Sequence, residues 1–379
     1  MKKISRNVVF LGIVSGLTDI SSEMLYPVLP LFLTRVLAAP MTSVGLIEGV
    51  AEATASLFKA ASGIWSDRWQ RRKPFVVCGY SLSAISKPLL ALAGAWPFVL
   101  VCRFIDRTGK GIRTSPRDAL LAASTEPENW GTAFGFHRAM DTAGAFIGPL
   151  LSILLLSLCG LSYRSLFLLA TIPAALGVWV LAAQVEDRVV EFSETKPFSL
   201  PSFSPELKRF FCIYGLFALG NSSDVFLLLK AAQGGLSPTQ VILAYVLYNG
   251  VYALTATPAG ALADKIGRDK TLAMGLAVFA ATYFGFAQIG HGPWFWALFA
   301  VYGLYGAAAE SSLKAAIAER SAPENRGAIM GLFQGGCGLL ALIASVAAGW
   351  LWSHVSPQAP FLLGAACAGI SALGLLAFP

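Results

Sequence analysis

Apolar windows of helical length alternate with short charged or Gly/Pro-rich breaks along the whole chain. They fall near residues 7–34, 42–65, 75–95, 98–122, 131–158, 165–184, 210–233, 238–263, 271–290, 293–317, 327–353 and 359–378. Each is close to the roughly 20 mostly apolar residues that a helix needs to cross a hydrocarbon layer of about 30 Å. Helices suit that solvent because they bond every interior backbone N–H and C=O within the segment. The pattern predicts an all-α membrane protein of twelve transmembrane helices. The first window follows a basic start, Met1 to Arg6, but it is long, holds Asp19 and Glu23, and lacks a small-residue cleavage site. It therefore reads as a span and not as a secretory signal.

Residues 186–209 form the only long polar connection, rich in Glu, Ser and Pro, and they divide the windows six and six. The expected organisation is a six-helix bundle over 1–185, a cytoplasmic linker over 186–209 and a second bundle over 210–379. Across the linker the halves match. Residues 128–135 (ENWGTAFG) correspond to 324–331 (ENRGAIMG) at an offset of 196, Gly63 to Asp67 corresponds to Gly260 to Asp264 at 197, and Ser21-Ser22-Glu23 corresponds to Ser222-Ser223-Asp224 at 201. Parallel repeats around a midplane site are the architecture of transporters that rock one half against the other.

Composition agrees with a lipid bilayer as the main partner: 56% of side chains are apolar and 13% are charged, about half the charged share of a soluble domain. The net charge of +7 is spread through the chain and not gathered on a tail or one soluble stretch, which argues against nucleic acid. With the N-terminus inside, sixteen Lys/Arg fall in the cytoplasmic segments and only Arg35 and Arg164 in the outer loops, so both termini are expected in the cytoplasm, at an inner membrane. The cysteines, Cys78, Cys102, Cys159, Cys212, Cys337 and Cys367, lack CxxC spacing and read as small core residues, and no metal or cofactor is expected.

Two segments carry a family resemblance. Gly63-Ile-Trp-Ser-Asp67-Arg68-Trp-Gln-Arg71-Arg72-Lys73 resembles the loop between spans two and three of the major facilitator superfamily, with Gln70 where glycine is usual. A second copy stands at Gly260-Ala-Leu-Ala-Asp264-Lys265-Ile-Gly267-Arg268-Asp269-Lys270. The resemblance implies a cytoplasmic gate: glycines that permit close helix approach, and aspartates that accept hydrogen bonds from helix N-termini and basic side chains. In span five, Gly135 and the later Gly144-Ala-Phe-Ile-Gly148-Pro149 resemble the pattern of the drug:proton antiporter group, although Ser152 and Ile153 replace its closing glycines. These small residues are read as helix-packing positions, with a bend at the proline.

Charges inside hydrocarbon are expensive unless paired or facing a wet cavity, so they mark function. Asp19, Glu23, Glu48, Glu52, Asp106, Asp118 and Asp141 lie in the first half, with Lys59, Lys87, Arg103, Arg107, Lys110, Arg113, Arg117 and Arg138. The second half keeps Asp224, Lys230, Glu310 and Lys314. On span four the bases and Asp106 fall within an arc of about 120°. That span resembles the superfamily's R-x-x-x-G motif, placed either at Arg107 with Gly111 or at Arg103 with the later glycines, the first being favoured. Asp19 with Glu23, and Glu48 with Glu52, stand four apart, so each pair is expected to share a wall. Proton affinity follows neighbouring charge, so a base moving toward or away from these acids would load or unload a proton. Asp19, Glu23, Glu48, Glu52, Asp106, Arg107, Arg138 and Asp141 are the proton-coupling candidates. His137 stands one turn from Asp141, and Glu310 with Lys314 reads as an internal pair. Lys87 either pairs with an acid or faces the substrate path, and it joins Asn221, Asp224, Tyr245, Tyr248, Asn249 and Tyr252 as substrate-cavity candidates.

The expectation is a proton-coupled secondary transporter for a small molecule, exporting it and working as a monomer. Uptake of an organic anion or metal chelate by symport is the alternative. A membrane enzyme is disfavoured, since no HExxH, P-loop or nucleophile-base constellation occurs.

Overall fold

A computed structural model describes residues 5–69, 71–126, 129–187, 204–321 and 326–377; the side chains at 64, 67, 311 and 326–328 lie outside the description, as do Gln70, residues 188–203 of the linker and part of the 128–135 and 324–331 repeat. Among the described residues there are twelve long helical spans and no strand: α1 Arg6–Val36, α2 Met41–Trp69, α3 Lys73–Ala91, α4 Trp96–Ala123, α5 Trp130–Leu158, α6 Tyr163–Gln184, α7 Pro205–Gln233, α8 Pro238–Ile266, α9 Arg268–Gln288, α10 Trp294–Glu319, α11 Arg326–His354 and α12 Ala359–Ala377. Nine of them are long and apolar enough to cross a membrane by length and composition among the described residues. The charged α4 is not one of the nine.

Local chemistry sets the boundaries. Ser5, Ser162, Ser204 and Ser237 accept a hydrogen bond from a backbone N–H of the first turn they precede, in α1, α6, α7 and α8. Pro205 and Pro238 open α7 and α8, where their missing N–H costs nothing, and Gln240 completes a capping box with Ser237. Gly267, at φ 98°, makes the one-residue break between α8 and α9. Two spans are interrupted. In α1 a turn follows Leu25 before the segment closes in a π-helical turn at Phe32–Val36, and α7 stops at Gly220 and resumes at Val225.

The chain forms two compact units, Met1–Leu37 with Val50–Pro197, and Ala38–Gly49 with Phe198–Pro379. Residues 38–49, which the sequence reading places in the first bundle, group with the second unit. There the backbone of Gly45 lies against Ser345, Gly49 against Leu342, and Gly349 against Met41. Helix pairing repeats between units: α1–α5, α1–α6, α3–α4 and α3–α6 in the first correspond to α7–α11, α7–α12, α9–α10 and α9–α12 in the second. The core of the first unit is aliphatic, with Val8, Leu11, Val14, Val76 and Leu181 around Tyr80. That of the second is aromatic, with Phe217, Phe279, Tyr283, Phe286, Phe299 and Phe361 buried. Cys102 and Cys367 are buried, as expected of core residues, but Cys78, Cys159 and Cys212 are exposed.

Candidate functional site

In the first unit, glycines press α5 onto the acidic face of α1. A β-carbon on Gly144 would meet the carbonyl oxygen of Gly16 and the Cβ of Asp19, and one on Gly148 would meet the carbonyl of Ile20 and the Cβ of Glu23. Ser152 Oγ, standing where the motif usually has glycine, donates to the Met24 carbonyl at 2.7 Å along the same seam. A β-carbon on Gly135 would have nothing within 4 Å among the described residues, whereas Pro149 is buried. The charges that act on Asp19 are Asp141 of α5, Glu23 of its own helix, and Arg113 and Lys110 of α4. Lys110 also faces Glu52 and Arg107. Arg138 is exposed beside His137.

A second cluster lies between α3 and α4. Lys87, 2% exposed, places Nζ 3.1 Å from Asp106 Oδ1 and donates to Ser22 Oγ at 3.3 Å. Arg107 Nε and Arg103 Nη1 stand 3.7 and 3.8 Å from the other carboxylate oxygen. Of the two fates open to Lys87, pairing with an acid is the one found. Ser86 Oγ donates to Asp106 Oδ1 at 3.5 Å, so three cations and one hydroxyl surround the carboxylate, as buried charges require.

Glu48 and Glu52 do not share a wall. Glu48 is buried and accepts from Ser223 Oγ at 3.5 Å within the second unit, while Glu52 is exposed in the first and faces Lys110. Four residues of helix turn the chain by about 400°, which aligns two side chains but leaves them one turn apart in depth, where the neighbouring helices differ.

The second unit builds its site around the break in α7. Asn221, Ser222 and Ser223 are unwound; Ser223 N–H donates to Ser345 Oγ at 3.2 Å, and the Ser222 carbonyl accepts from Tyr283 at 3.5 Å. Unwound backbone at mid-span is a common feature of transporter binding sites. Asp224, just after the break, accepts a 2.6 Å hydrogen bond from Tyr302. The Tyr302 ring packs on Tyr248 at 5.1 Å and Tyr305 at 5.2 Å, and Tyr248 on Tyr245 at 6.1 Å. So Asp224, Tyr245 and Tyr248 belong to one wall, joined by Tyr302. Asn249 instead donates to the Tyr245 carbonyl of its own helix at 3.1 Å, and Tyr252 donates to Glu310, which also pairs with Lys314 at 3.1 Å.

Tyr302 was not among the residues singled out from sequence, yet a signal for it existed. The offset of 196 carries Asp106 onto Tyr302 and Lys87 onto Tyr283. The buried ion pair of one half is matched in the other by two tyrosines whose rings lie 6.2 Å apart.

At the motif loops, Arg72 is buried and bonds the Ala119 carbonyl at 2.9 Å, while Arg68 and Arg71 are exposed. Asp187 accepts from the backbone N–H of Arg72 and Lys73 at 3.3 and 3.1 Å, capping α3 from the start of the linker, which the motif alone does not reveal. The side chain of Asp67 lies outside the described residues. A β-carbon on Gly63 would meet Ser115 at ordinary contact distance, whereas one on Gly260 would have nothing within 4 Å among the described residues. Asp264 is exposed, and Arg268 pairs with Glu319. Beside it Asp269 pairs with Arg320.

The sequence profile of the Major Facilitator Superfamily matches residues 11–231 and again 210–379. The chain belongs to this superfamily. Among its members, the MFS-type transporter MJ1317 of Methanocaldococcus jannaschii is 36% identical over 99% of this chain and 95% of its own length. Multidrug resistance protein MdtH of Photorhabdus laumondii is 26% identical, covering 89% of this chain and 86% of its own. Among solved structures, a POT family transporter in complex with 5-aminolevulinic acid aligns with a TM-score of 0.82 at 14% identity over 99% of this chain and 96% of that one. The chain is thus a multi-pass membrane transport protein with the fold of the major facilitator superfamily.

Proposed function

We propose that this protein is a proton-coupled secondary active transporter that exports a small molecule across the inner membrane by alternating access. The observation that carries this reading is the seam inside the first unit where Gly144 and Gly148 of α5 meet Asp19 and Glu23 of α1, with Asp141 three residues before Gly144. Each such charge costs free energy in a bilayer, so acids and bases kept together there suggest use, and small helix movements change which bases stand beside which acids. Antiport is favoured by the span-five glycines and by likeness to proteins named for multidrug resistance, MdtH and MdtG.

In this reading protons are handled by Asp19, Glu23, Glu48, Glu52, Asp106, Arg107, Arg138 and Asp141. Substrate meets the aromatic wall at Asp224, Tyr245, Tyr248 and Tyr302, with Asn221, Asn249 and Tyr252 as further contacts; small-molecule sites combine such apolar surface with a few polar groups. The loops around Asp67 and Asp264 gate the cytoplasmic side, both termini are cytoplasmic, and the monomer is the working unit.

One observation favours the alternative, uptake of an organic anion or metal chelate by symport: α4 carries Arg103, Arg107, Lys110, Arg113 and Arg117. A ligand-stabilisation screen on purified protein supplies a transported compound, and membrane vesicles of known orientation then separate the readings. Export by antiport requires accumulation in everted, acid-inside vesicles, abolished by a protonophore. Accumulation only in right-side-out vesicles with acid outside supports symport, and flux indifferent to the pH difference rejects proton coupling.

A further inference from the structure

His137 is 5% exposed on α5, and its Nδ1 lies 3.5 Å from Asp141 Oδ2, one turn along the same helix. The remaining polar atoms of the pair, His137 Nε2 and Asp141 Oδ1, are buried with no hydrogen-bond partner among the described residues. An isolated i,i+4 pair on a helix contributes only a few tenths of a kcal/mol, so helix stability does not account for burying these groups. Asp141 stands one turn before Gly144, the residue pressed against Asp19, and its charge acts on Asp19 across that seam.

Further charges act on both ends of this group. The charges that act on His137 are Arg117 and Asp118 of α4, and Asp141 and Arg138 of its own helix. Arg117 is held by Asp118 at 2.8 Å and donates to Ser15 Oγ of α1 at 3.2 Å. At the other end Asp19 faces Glu23 of its own helix, and Lys110 and Arg113 of α4. Bases therefore stand at both ends, with a histidine and two carboxyl groups between them.

We infer that His137, Asp141 and Asp19 form one proton-sharing unit across the α1–α5 contact, with His137 as the proton-accepting member nearest Arg117 and Asp118. The inference rests on the proton-coupled reading above. An imidazole takes a proton on one nitrogen and releases another from the second. Uptake at Nε2 leaves Nδ1–H to donate to Asp141 Oδ2, and a proton on the Asp141 carboxyl passes to the Asp19 carboxylate. Each internal transfer leaves the net charge of the three groups unchanged, so one proton enters at the histidine for each that leaves from Asp19.

The test is a histidine-selective NMR titration of the full chain in lipid nanodiscs, without substrate or pH gradient. Its three histidines are His137, His291 and His354, so the resonance lost in His137→Gln identifies the first. Asp141→Asn should lower the titration midpoint of that resonance by about one pH unit, the size of one lost charge contact. Asp19→Asn should lower it by a smaller, measurable amount, while Asp141→Glu leaves it near its original value. A His137 midpoint that ignores Asp19→Asn, or a His137 that does not titrate between about pH 4 and 9, overturns the inference. Unchanged His291 and His354 resonances report that each variant is folded, and if Asp141→Asn does not fold, Asp19→Asn alone decides. Because the titration needs no transport, it fails independently of the vesicle assay.

Discussion

Gly144 sits against Asp19 so closely that a β-carbon on the glycine would stand 2.8 Å from the aspartate's Cβ and 2.7 Å from the carbonyl oxygen of Gly16. Backbone cannot yield as a side-chain tip can, so Gly144→Ala must push α1 and α5 apart. We expect a loss of about 1–3 kcal/mol, the usual cost of overpacking, together with loss of proton-driven flux because Asp19 is displaced. Gly135→Ala, in open space on the same helix, should be neutral or stabilising by up to about 1 kcal/mol. Thermal unfolding of the two purified variants in one detergent distinguishes a seam at Gly144 from a general intolerance of α5.

Asp106→Asn leaves Lys87 buried without its carboxylate. Breaking a buried pair by removing one partner typically costs about 3–5 kcal/mol, and a large fall in unfolding temperature is expected. The double variant Lys87→Met, Asp106→Leu should recover much of that loss, since it removes both charges together. Equal instability of single and double variants would show that Arg103 and Arg107, and not Lys87, are the main beneficiaries of the carboxylate.

For the second unit, Tyr302→Phe keeps the ring and removes only the hydroxyl that bonds Asp224. Compounds found by ligand stabilisation should bind more weakly to Tyr302→Phe and to Asp224→Asn, by up to about 3 kcal/mol for a hydrogen bond to a charged group. Proton-driven flux should remain in both. Unchanged affinity in each variant, measured by calorimetry, would remove this wall from the substrate path.

Glu23→Gln should abolish accumulation driven by a pH difference while leaving exchange of labelled for unlabelled compound largely intact. The amide imitates the protonated acid but has no proton to release. Accumulation that persists in this variant would exclude Glu23 as the essential site and leave its neighbours Asp19 and Asp141 to carry the proton.

Much of the fold was legible along the chain. Hydropathy is a local property, so the twelve windows reappear as helices within a few residues. The repeat was legible too, since motifs at offsets near 196 require only comparison of the chain with itself. The candidate site was legible in part: intramembrane charge singled out Asp19, Glu23, Asp106, Asp141 and Asp224, because desolvation makes such residues rare whatever surrounds them.

Partnership was decided elsewhere. Periodicity tells which way a side chain points from its own helix, but the residue opposite depends on the rotation and depth of the neighbouring helix, which no single segment encodes. Gly144 and Gly135 look alike in sequence, yet only one meets a backbone. Glu48 and Glu52 lie on one face, yet the packing assigns them to different units. By itself the sequence determined a duplicated twelve-span membrane protein with acids in hydrocarbon; only tertiary packing decided that Lys87 answers Asp106, that Tyr302 answers Asp224, and that two glycines of α5 hold the acids of α1, because each of these pairings is made between helices.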